Sequence, residues 1–548
     1  MAEYVHEKGG DHTVEPRPAS TTPPHSSQEI KEKIDLAPGL IETDVEGAVT
    51  KDGIKIHPQP TADPLDPLNW SPWRKNTILS IVMIKYFMFT YVTTTTVPSF
   101  FELQDQYAAS YAQINWTLAV PALGLAVGPL LWSSFADIYG RRIIFIFGTV
   151  IAFASTIGAA LAPTYSGYMA ARFFQGLGVS PAATVGLAAI NDMYFDHQRG
   201  QKIGLWVLAI DTGVFVGPLF GGFLDLVSPQ WIQWFTAIIF AVLLVLELAF
   251  MPETLYPRNQ MLSQMPMIGP DDVSKSADLE KIGRQRRDAS EVALPRTKKL
   301  FFLNIKPVPG MRHPKPWDSI TRFLKTFQFP VVVVAIFSYC FTWYWFLLSI
   351  ITVLPVAYIQ YSPQIQGLLF LGLLLGTVLS EIFCSGTLSD IISKRMARKR
   401  GHSVRLPEDR LWLTYPAITL SAIGLIVWGI SIDKMHHWMV GQIAFFIFGA
   451  GIQIGNTCIA AYVVDAYPLQ SMSVITFYSV WLNLSAFLCP FFIAPWQATS
   501  GFTWCFAAQG IITFFAAVPV MFALQKWGPS IRAKSGQPSW VNPEFDIL

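Results

Sequence analysis

Residues 331–354 read VVVVAIFSYCFTWYWFLLSIITVL, an uncharged apolar run that decides the fold of this chain. About 20 such residues in a helix match the roughly 30 Å hydrocarbon core of a bilayer, whereas helices in soluble cores rarely run so long without charge. Eleven further stretches share this character, and the chain is 52% hydrophobic and only 14% charged. The sequence therefore predicts an all-α integral membrane protein with twelve transmembrane helices.

The predicted helices fall into two groups of six, separated by a long polar segment. They occupy residues 77–99, 112–134, 142–162, 166–189, 202–224, 231–251, 329–353, 365–387, 411–431, 438–463, 472–496 and 502–525. This predicts a first six-helix bundle at residues 76–251 and a second at 329–525, joined by a central loop at 252–328. A disordered tail at 1–75 precedes the first bundle, and a C-terminal tail at 526–548 follows the second.

The distribution of basic residues predicts the orientation, because short cytoplasmic loops retain Lys and Arg. Of the six loops on one side, only one carries a basic residue, Lys434, whereas basic residues are frequent on the other. We therefore expect both termini to be cytoplasmic in a multi-pass protein of the plasma membrane. The basic positions include Arg74, Lys75, Arg141, Arg142, Lys202, Arg395, Arg398 and Lys399.

The chain lacks the motifs of several other functional classes. It has no phosphate-binding glycine loop followed by lysine, no metal-ligand pair of histidines and no nucleophile motif. The five cysteines all fall inside predicted helices and are expected to be small core residues. We expect a monomer that is not an enzyme, binds no cofactor, metal or nucleic acid, and draws its energy from an ion gradient or the substrate's own gradient.

Two loops carry related charged motifs. Asp137-Ile-Tyr-Gly140-Arg141-Arg142 follows the second predicted helix, and Gly386-Thr-Leu-Ser-Asp390-Ile-Ile-Ser-Lys394-Arg395 follows the eighth. Such a repeat is what a duplicated, pseudo-symmetric pair of six-helix bundles would leave in a sequence. The aspartates and basic residues are expected to form a charged clasp that joins the bundles in one conformation and parts in another.

The motifs resemble those of the major facilitator superfamily. Arg172-Phe-Phe-Gln175-Gly176-Leu-Gly178 is similar to the family's intramembrane arginine motif, and Gly213-Val-Phe-Val-Gly217-Pro218-Leu-Phe-Gly221-Gly222 looks like the motif of its drug:proton antiporters. Small residues every four positions let helix backbones approach closely, and Pro218 is expected to bend its helix. The first loop motif departs from the family pattern, with Ser133 and Ile138 where glycine and arginine are usual.

Three further segments resemble the fungal twelve-helix drug:proton antiporter-like group, which includes polyamine and cation carriers. They are Asp66-Pro-Leu-Asn-Trp-Ser71, Pro252-Glu-Thr-Leu-Tyr-Pro-Arg258 and Pro407-Glu-Asp-Arg-Leu411. The resemblance covers residues 66–530. It implies that helices 1, 4, 7 and 10 and their neighbours 2, 5, 8 and 11 border a central cavity.

Five charged residues lie well inside predicted helices, where each costs at least about 2.5 kcal/mol. Asp211 and Glu381, one in each half, are the predicted acidic site: a desolvated carboxylate readily binds a proton and can bind a cation instead. Lys85 is expected to pair with one of them, and Arg172 to repel cations or to help release the proton. Glu247 is expected to be interfacial or paired.

Aromatic and amide side chains complete the predicted site for substrate. Tyr339, Trp343 and Tyr344 crowd helix 7, and Tyr462 ends helix 10; their ring faces are suited to an organic cation or a flat ring. Asn456 is polar within helix 10 and can add a hydrogen bond.

The sequence predicts a proton-coupled carrier of small organic molecules, either an exporter of drugs and metabolites or a carrier of organic cations such as polyamines. One alternative is a sugar facilitator of the same fold, although the Pro252-Glu-Thr-Leu-Tyr256 segment differs from that of sugar porters. Another is a transporter-like nutrient receptor, which would usually have a longer C-terminal tail.

Overall fold

The structure is a computed structural model, and it describes residues 58, 60–61, 63–258, 306–308, 313–399, 406–467 and 470–536. Side chains at 196, 197, 199–201, 385–387, 390, 394, 397 and 471 are also outside this description. The predicted disorder of the N-terminal tail and of most of the central loop falls largely on residues outside the described ones. Throughout the described part, the regular secondary structure is helical.

The first half of the chain contributes six long helices. Ser71 caps the first helix by accepting from the Arg74 N–H, and Ser110 with Gln113 forms a capping box at the second. Gly140 has a φ of 104°, which suits glycine and lets the chain turn directly from the second helix into the third. The six are α1 Pro72–Thr94, α2 Tyr111–Tyr139, α3 Arg141–Leu161, α4 Tyr165–Met193, α5 Asp196–Leu224 and α6 Pro229–Phe250.

The second half contributes the other six. A short helix, Asp318–Thr326, precedes α7 Pro330–Ala357, α8 Pro363–Cys384, α9 Pro407–Asp433 and α10 Trp438–Ala466. The final helical stretch, Ser471–Ser535, is interrupted at Gly501, where φ is 71° and ψ is 174°. This break divides it into α11, residues 471–500, and α12, residues 502–535.

The described residues contain eleven helical stretches long and apolar enough to cross a membrane, the last of them 64 residues long and broken at Gly501. The twelve predicted helices are thus present. One prediction was wrong in detail: helix Gly386–Lys399 continues α8, so the second charged motif lies on a helix and not in a loop. The helix continues through these basic residues, beyond the end of the apolar segment.

Glycines bring α5 close to α1; the spacing predicted a close approach of backbones, and the structure identifies α1 as the partner helix. A Cβ on Gly213 would lie 2.3 Å from the carbonyl oxygen of Phe87, and one on Gly221 would lie 1.9 Å from that of Thr95. Gly217 faces Thr94 in the same row. Any side chain here would force the two backbones apart, so the glycine spacing is a packing surface.

The two halves also meet along α5 and α8. A Cβ on Gly222 would lie 2.3 Å from the Pro363 carbonyl oxygen, and one on Gly367 would lie 2.6 Å from that of Pro218. We call the end where α1 begins, near Arg74 and Lys75, the basic end. The glycine contacts with Pro363 and Pro218 therefore close the opposite end of the molecule.

Candidate substrate and proton site

Asp211 and Asn456 join the two halves near the middle of their helices. Asp211 lies on α5 and is only 4% exposed, and the Asn456 amide on α10 donates to its Oδ2 at 2.7 Å. Tyr478 on α11 in turn donates to Asn456 Oδ1. Within the described residues, Asn456 is the only hydrogen-bond donor to Asp211. The carboxylate is therefore buried against a neutral partner.

Tyrosines surround this carboxylate. Tyr339 stacks on Tyr478 with ring centroids 6.1 Å apart, and Tyr344 lies 6.0 Å from Tyr339. These three and Tyr86 are close enough to Asp211 to interact with it electrostatically. The structure thus brings the predicted residues Tyr339, Tyr344 and Asn456 to Asp211. It adds Tyr86 and Tyr478, which nothing in the sequence distinguishes from other helical tyrosines.

Glu381, the second predicted acid, lies on α8 where the helix changes to a π turn over Glu381–Ser385. Gln453 and Thr457 of α10 each donate to its Oε2 at 2.9 Å. Its side chain is half-buried and interacts electrostatically with Asp211. π turns within α-helices are frequent at functional sites. The two acids therefore stand on facing helices of the two halves.

A small cavity lies between helices of both halves beside this cluster. Its volume is about 20 Å³, enough for one water molecule and too small for an organic substrate. The space between the helices is therefore narrow at this point. The lining comes from α1, α2, α5, α7 and α11, namely Thr90, Thr93, Thr94, Leu118, Ala122, Leu125, Val214, Tyr344, Leu348, Asn483 and Ala486.

Arg172 is fully buried on α4 and bonded to neutral groups. Its guanidinium donates to the carbonyls of Thr117 and Thr93 and to Gln175 Oε1 at 2.6 Å. No carboxylate in the described part of the chain lies within ion-pairing distance of it. Gln175 also donates to Gln233 of α6, so the motif of α4 forms a polar network inside the first half. Gly176 and Gly178 pack directly on backbone atoms of α2 and α3.

The expected pairing of Lys85 with Asp211 or Glu381 is wrong. Lys85 and Glu247 form an ion pair at 3.3 Å, both side chains being 0% exposed. Lys85 also donates to the Phe145 carbonyl, and Thr149 donates to Glu247. Because Lys85 and Thr90 are about 140° apart around α1 at 3.6 residues per turn, Lys85 faces α3 and α6 while Thr90 faces α5. Glu247 is paired, one of the two expected outcomes.

The other two predicted aromatic residues are Trp343 and Tyr462. Trp343 donates to Ser421 Oγ at 2.8 Å and packs its ring on Gly455, which fixes it among α7, α9 and α10. Tyr462 lies beside Gly528 and Glu408 near the start of α9 and the end of α12. Trp343 meets the tyrosine cluster edge-on at Tyr339, with ring centroids 5.6 Å apart, whereas Tyr462 lies outside that cluster.

The first charged motif forms a clasp at the basic end. Arg141 pairs with Asp137 and lies 3.5 Å from Asp192 at the end of α4. Glu253, just after α6, accepts from the backbone N–H groups of Arg141 and Arg142 at 2.8 and 3.2 Å. In this structure the described contacts of these acidic residues link α2, α3, α4 and the end of α6, all within the first half.

In the second half, the structure does not describe the surroundings of Gly386 or the side chains of Asp390 and Lys394. Arg395 is exposed. The neighbouring ion pairs there are Arg410 with Asp465 at 2.6 Å and Arg532 with Glu408 at 3.2 Å.

Two of the fungal-type segments of the first half also meet: Arg258 forms a buried ion pair with Asp66 at 3.0 Å. The sequence showed these segments but not their contact.

Comparisons with known proteins agree with this architecture. The family model described as Major Facilitator Superfamily matches residues 82–473. The "MFS-type efflux pump MFS2" of Trichophyton rubrum is 28% identical over 486 residues, 86% of this chain and 76% of that protein. "Efflux pump radE" of Floropilus chiversii is 26% identical over 488 residues, covering 88% and 84%. A crystal structure of a D-xylose-proton symporter has a TM-score of 0.56 at 16% identity, covering 81% and 97%, and shows the fold alone.

Proposed function

The chain belongs to the Major Facilitator Superfamily, and from that membership we propose that it is a proton-coupled transporter that exports small organic molecules by alternating access. The observation that carries the proposal is the contact of Asp211 in the first half with Asn456 in the second. Relatives named as efflux pumps support export over import.

Asp211 supports proton coupling because it is a buried acid with a neutral partner. A desolvated carboxylate readily binds a proton, and a permanent cationic partner would remove that tendency. Lys85, the obvious partner, is instead held by Glu247. A proton and a cationic substrate then compete for the same carboxylate, which couples their movements.

The conformational change moves the two bundles, residues 76–251 and 329–525, relative to each other. The glycine contacts between α5 and α8 close the end opposite the basic end. In the proposed cycle the halves rock so that these contacts open, while the Asp137–Arg141 pair keeps α2 and α3 together within the first half. The protein acts as a monomer in the plasma membrane, and its basic end and both termini face the cytoplasm.

Efflux from a transporter-deficient yeast host tests the proposal. Growth on a panel of toxic compounds identifies the compound to which the wild-type protein gives the greatest resistance, and its accumulation is then measured. We expect wild type to lower accumulation, and both a protonophore and Asp211→Asn to abolish that effect. Thr212→Val, one residue away and bonded to its own helix, is the control. Export indifferent to both treatments would refute the coupling.

A further inference from the structure

The short helix Asp318–Thr326 lies at the basic end, immediately before a membrane helix. Only residues 327–329 separate it from Pro330, where α7 begins. Because the apolar segment of α7 enters the hydrocarbon core there, the short helix lies at the boundary between the hydrocarbon and the water. Its outer surface therefore faces lipid headgroups and the ends of acyl chains.

Contacts with both halves fix how this helix is turned. The Ser319 N–H donates to Ser134 Oγ of α2 at 3.0 Å, and the two hydroxyl oxygens lie 2.5 Å apart. On the side of the second half, the rings of Phe323 and Phe477 of α11 have centroids 5.1 Å apart. Ser319 and Phe323 are four positions apart, so they share one face of the helix. We call this the bonded face, and the rest of the surface is turned away from it.

An uncovered apolar stripe runs beside the bonded face. Its four residues fall within about 80° of the helix circumference at about 100° per residue. Each of their side chains is between 41% and 59% exposed in the protein alone, and they are Trp317, Ile320, Leu324 and Phe327. A row of large apolar side chains at a membrane boundary is stabilised by insertion among acyl chains, and tryptophan is favoured at that depth.

The remaining face of the helix is basic. Arg322 and Lys325 lie between the stripe and the bonded face, and the exposed Lys315 precedes the helix. Asp318 is the one acidic residue in the sequence from 315 to 328, and its carboxylate accepts from the Lys315 backbone N–H at 2.8 Å. Three basic residues against one acidic residue leave an excess of positive charge. Long basic side chains keep their stems on apolar surface and extend their charges to the level of lipid phosphates.

We propose that the short helix binds anionic phospholipids of the leaflet at the basic end, with its apolar stripe among acyl chains and its basic residues at the headgroups. A helix with an apolar face and a basic polar face lies in this way in the plane of a membrane. Each basic residue near an anionic lipid surface adds to the attraction. A zwitterionic lipid such as phosphatidylcholine offers the same acyl chains without the net negative charge. The lipid contact is separate from the central site and from what the protein transports.

Quenching by labelled lipids tests the proposal on the full-length protein in phosphatidylcholine nanodiscs. Leu324→Cys carries a fluorescent group, and phosphatidylserine or phosphatidylcholine with a nitroxide on the same acyl carbon is added as a minor lipid. Wild type gives the labelling background, since four of its five cysteines are buried. We expect both lipids to quench, because residue 324 lies in the bilayer. Phosphatidylserine should reach half-maximal quenching at a lipid fraction at least about tenfold lower, because several basic residues attract it together.

A pair of charge variants of the labelled protein assigns the preference to this helix. Arg322→Gln with Lys325→Gln removes two charges from the basic face, and we expect the preference for phosphatidylserine to fall at least about fivefold. Arg398→Gln with Lys399→Gln removes the same two charges from exposed positions at the end of the helix that continues α8, and should leave the preference unchanged. High salt should weaken the preference in the protein with Leu324→Cys alone, because it screens charges at a surface.

Three results would overturn the proposal. Absence of quenching at residue 324 by either lipid would mean that another part of the chain covers the apolar stripe. Equal half-maximal fractions for the two lipids, at low and at high salt, would remove the role of the basic face. An equal loss of preference in the two double variants would assign the attraction to the net charge of the basic end and not to the short helix.

Discussion

Asn456 on α10 donates to Asp211 on α5 at 2.7 Å, so an amide of the second half holds the buried carboxylate of the first. Any movement of the halves that separates α5 from α10 must break this bond. In the proposed cycle, binding of a proton or cation at Asp211 therefore competes with, or rearranges, this contact. The proposal thus links the charge of Asp211 to the arrangement of the two halves through one hydrogen bond.

Replacing Asn456 with leucine tests that link. Asp211 would lose its donor while staying buried, a loss of about 1–3 kcal/mol that destabilises the conformation described here. We expect reduced transport and a lower melting temperature in detergent. Tyr478→Phe removes only the hydrogen bond behind Asn456 and should have a smaller effect. Wild-type behaviour of Asn456→Leu in both measurements would show that the bond is dispensable.

The Lys85–Glu247 pair should act on folding. Lys85→Met leaves Glu247 buried without its counter-charge, and breaking a buried pair in this way costs about 3–5 kcal/mol. We expect a much lower yield of monodisperse protein by fluorescence-detected size-exclusion chromatography. The double variant Lys85→Met, Glu247→Gln removes both charges and should recover most of the yield. A double variant no better than the single one would contradict the pairing.

The glycine row on α5 should tolerate no side chain. Gly213→Ala would place its Cβ 2.3 Å from the Phe87 carbonyl oxygen, and overpacking of this kind costs about 1–3 kcal/mol. We expect loss of transport and a lower melting temperature. Gly158→Ala is the control, because the nearest atom to its Cβ is 3.8 Å away. Equal effects of the two changes would indicate general helix sensitivity rather than close packing of α1 on α5.

The buried Asp66–Arg258 pair fixes the segment before α1 to the segment after α6. Asp66→Arg places two arginines together and should strongly reduce both surface expression and transport. The exchange Asp66→Arg, Arg258→Asp restores opposite charges, and we expect it to recover a large part of both. Failure of the exchange to improve on the single change would show that the pair itself is unimportant.

The sequence predicted the features that follow from length, periodicity and spacing. The twelve membrane helices and the close helix packing at the glycines 213, 217 and 221 could be predicted without coordinates. Segment length and the spacing of small residues constrain any helix in a bilayer. Asp211, Glu381 and Asn456 were identified because polar groups inside a membrane are costly.

Contacts that depend on which way a helix face turns could not be predicted. Lys85 and Thr90 share α1, yet one faces Glu247 and the other faces α5, and the spacing alone does not say which neighbour each meets. Tyr478 is one tyrosine among many in apolar helices until its bond to Asn456 is seen. Trp343 looked suited to a ligand, but its Nε1 is taken by Ser421.

Proton movement in liposomes shows whether Asp211 carries the proton that drives transport. Purified wild type and Asp211→Asn are reconstituted with a pH-sensitive dye inside, and the transported compound found in the yeast screen is added on one side. We expect a substrate-dependent change of internal pH with wild type and with Thr212→Val, and none with Asp211→Asn. Substrate flux through wild type without any proton movement, or equal proton movement with Asp211→Asn, would rule out proton coupling at Asp211.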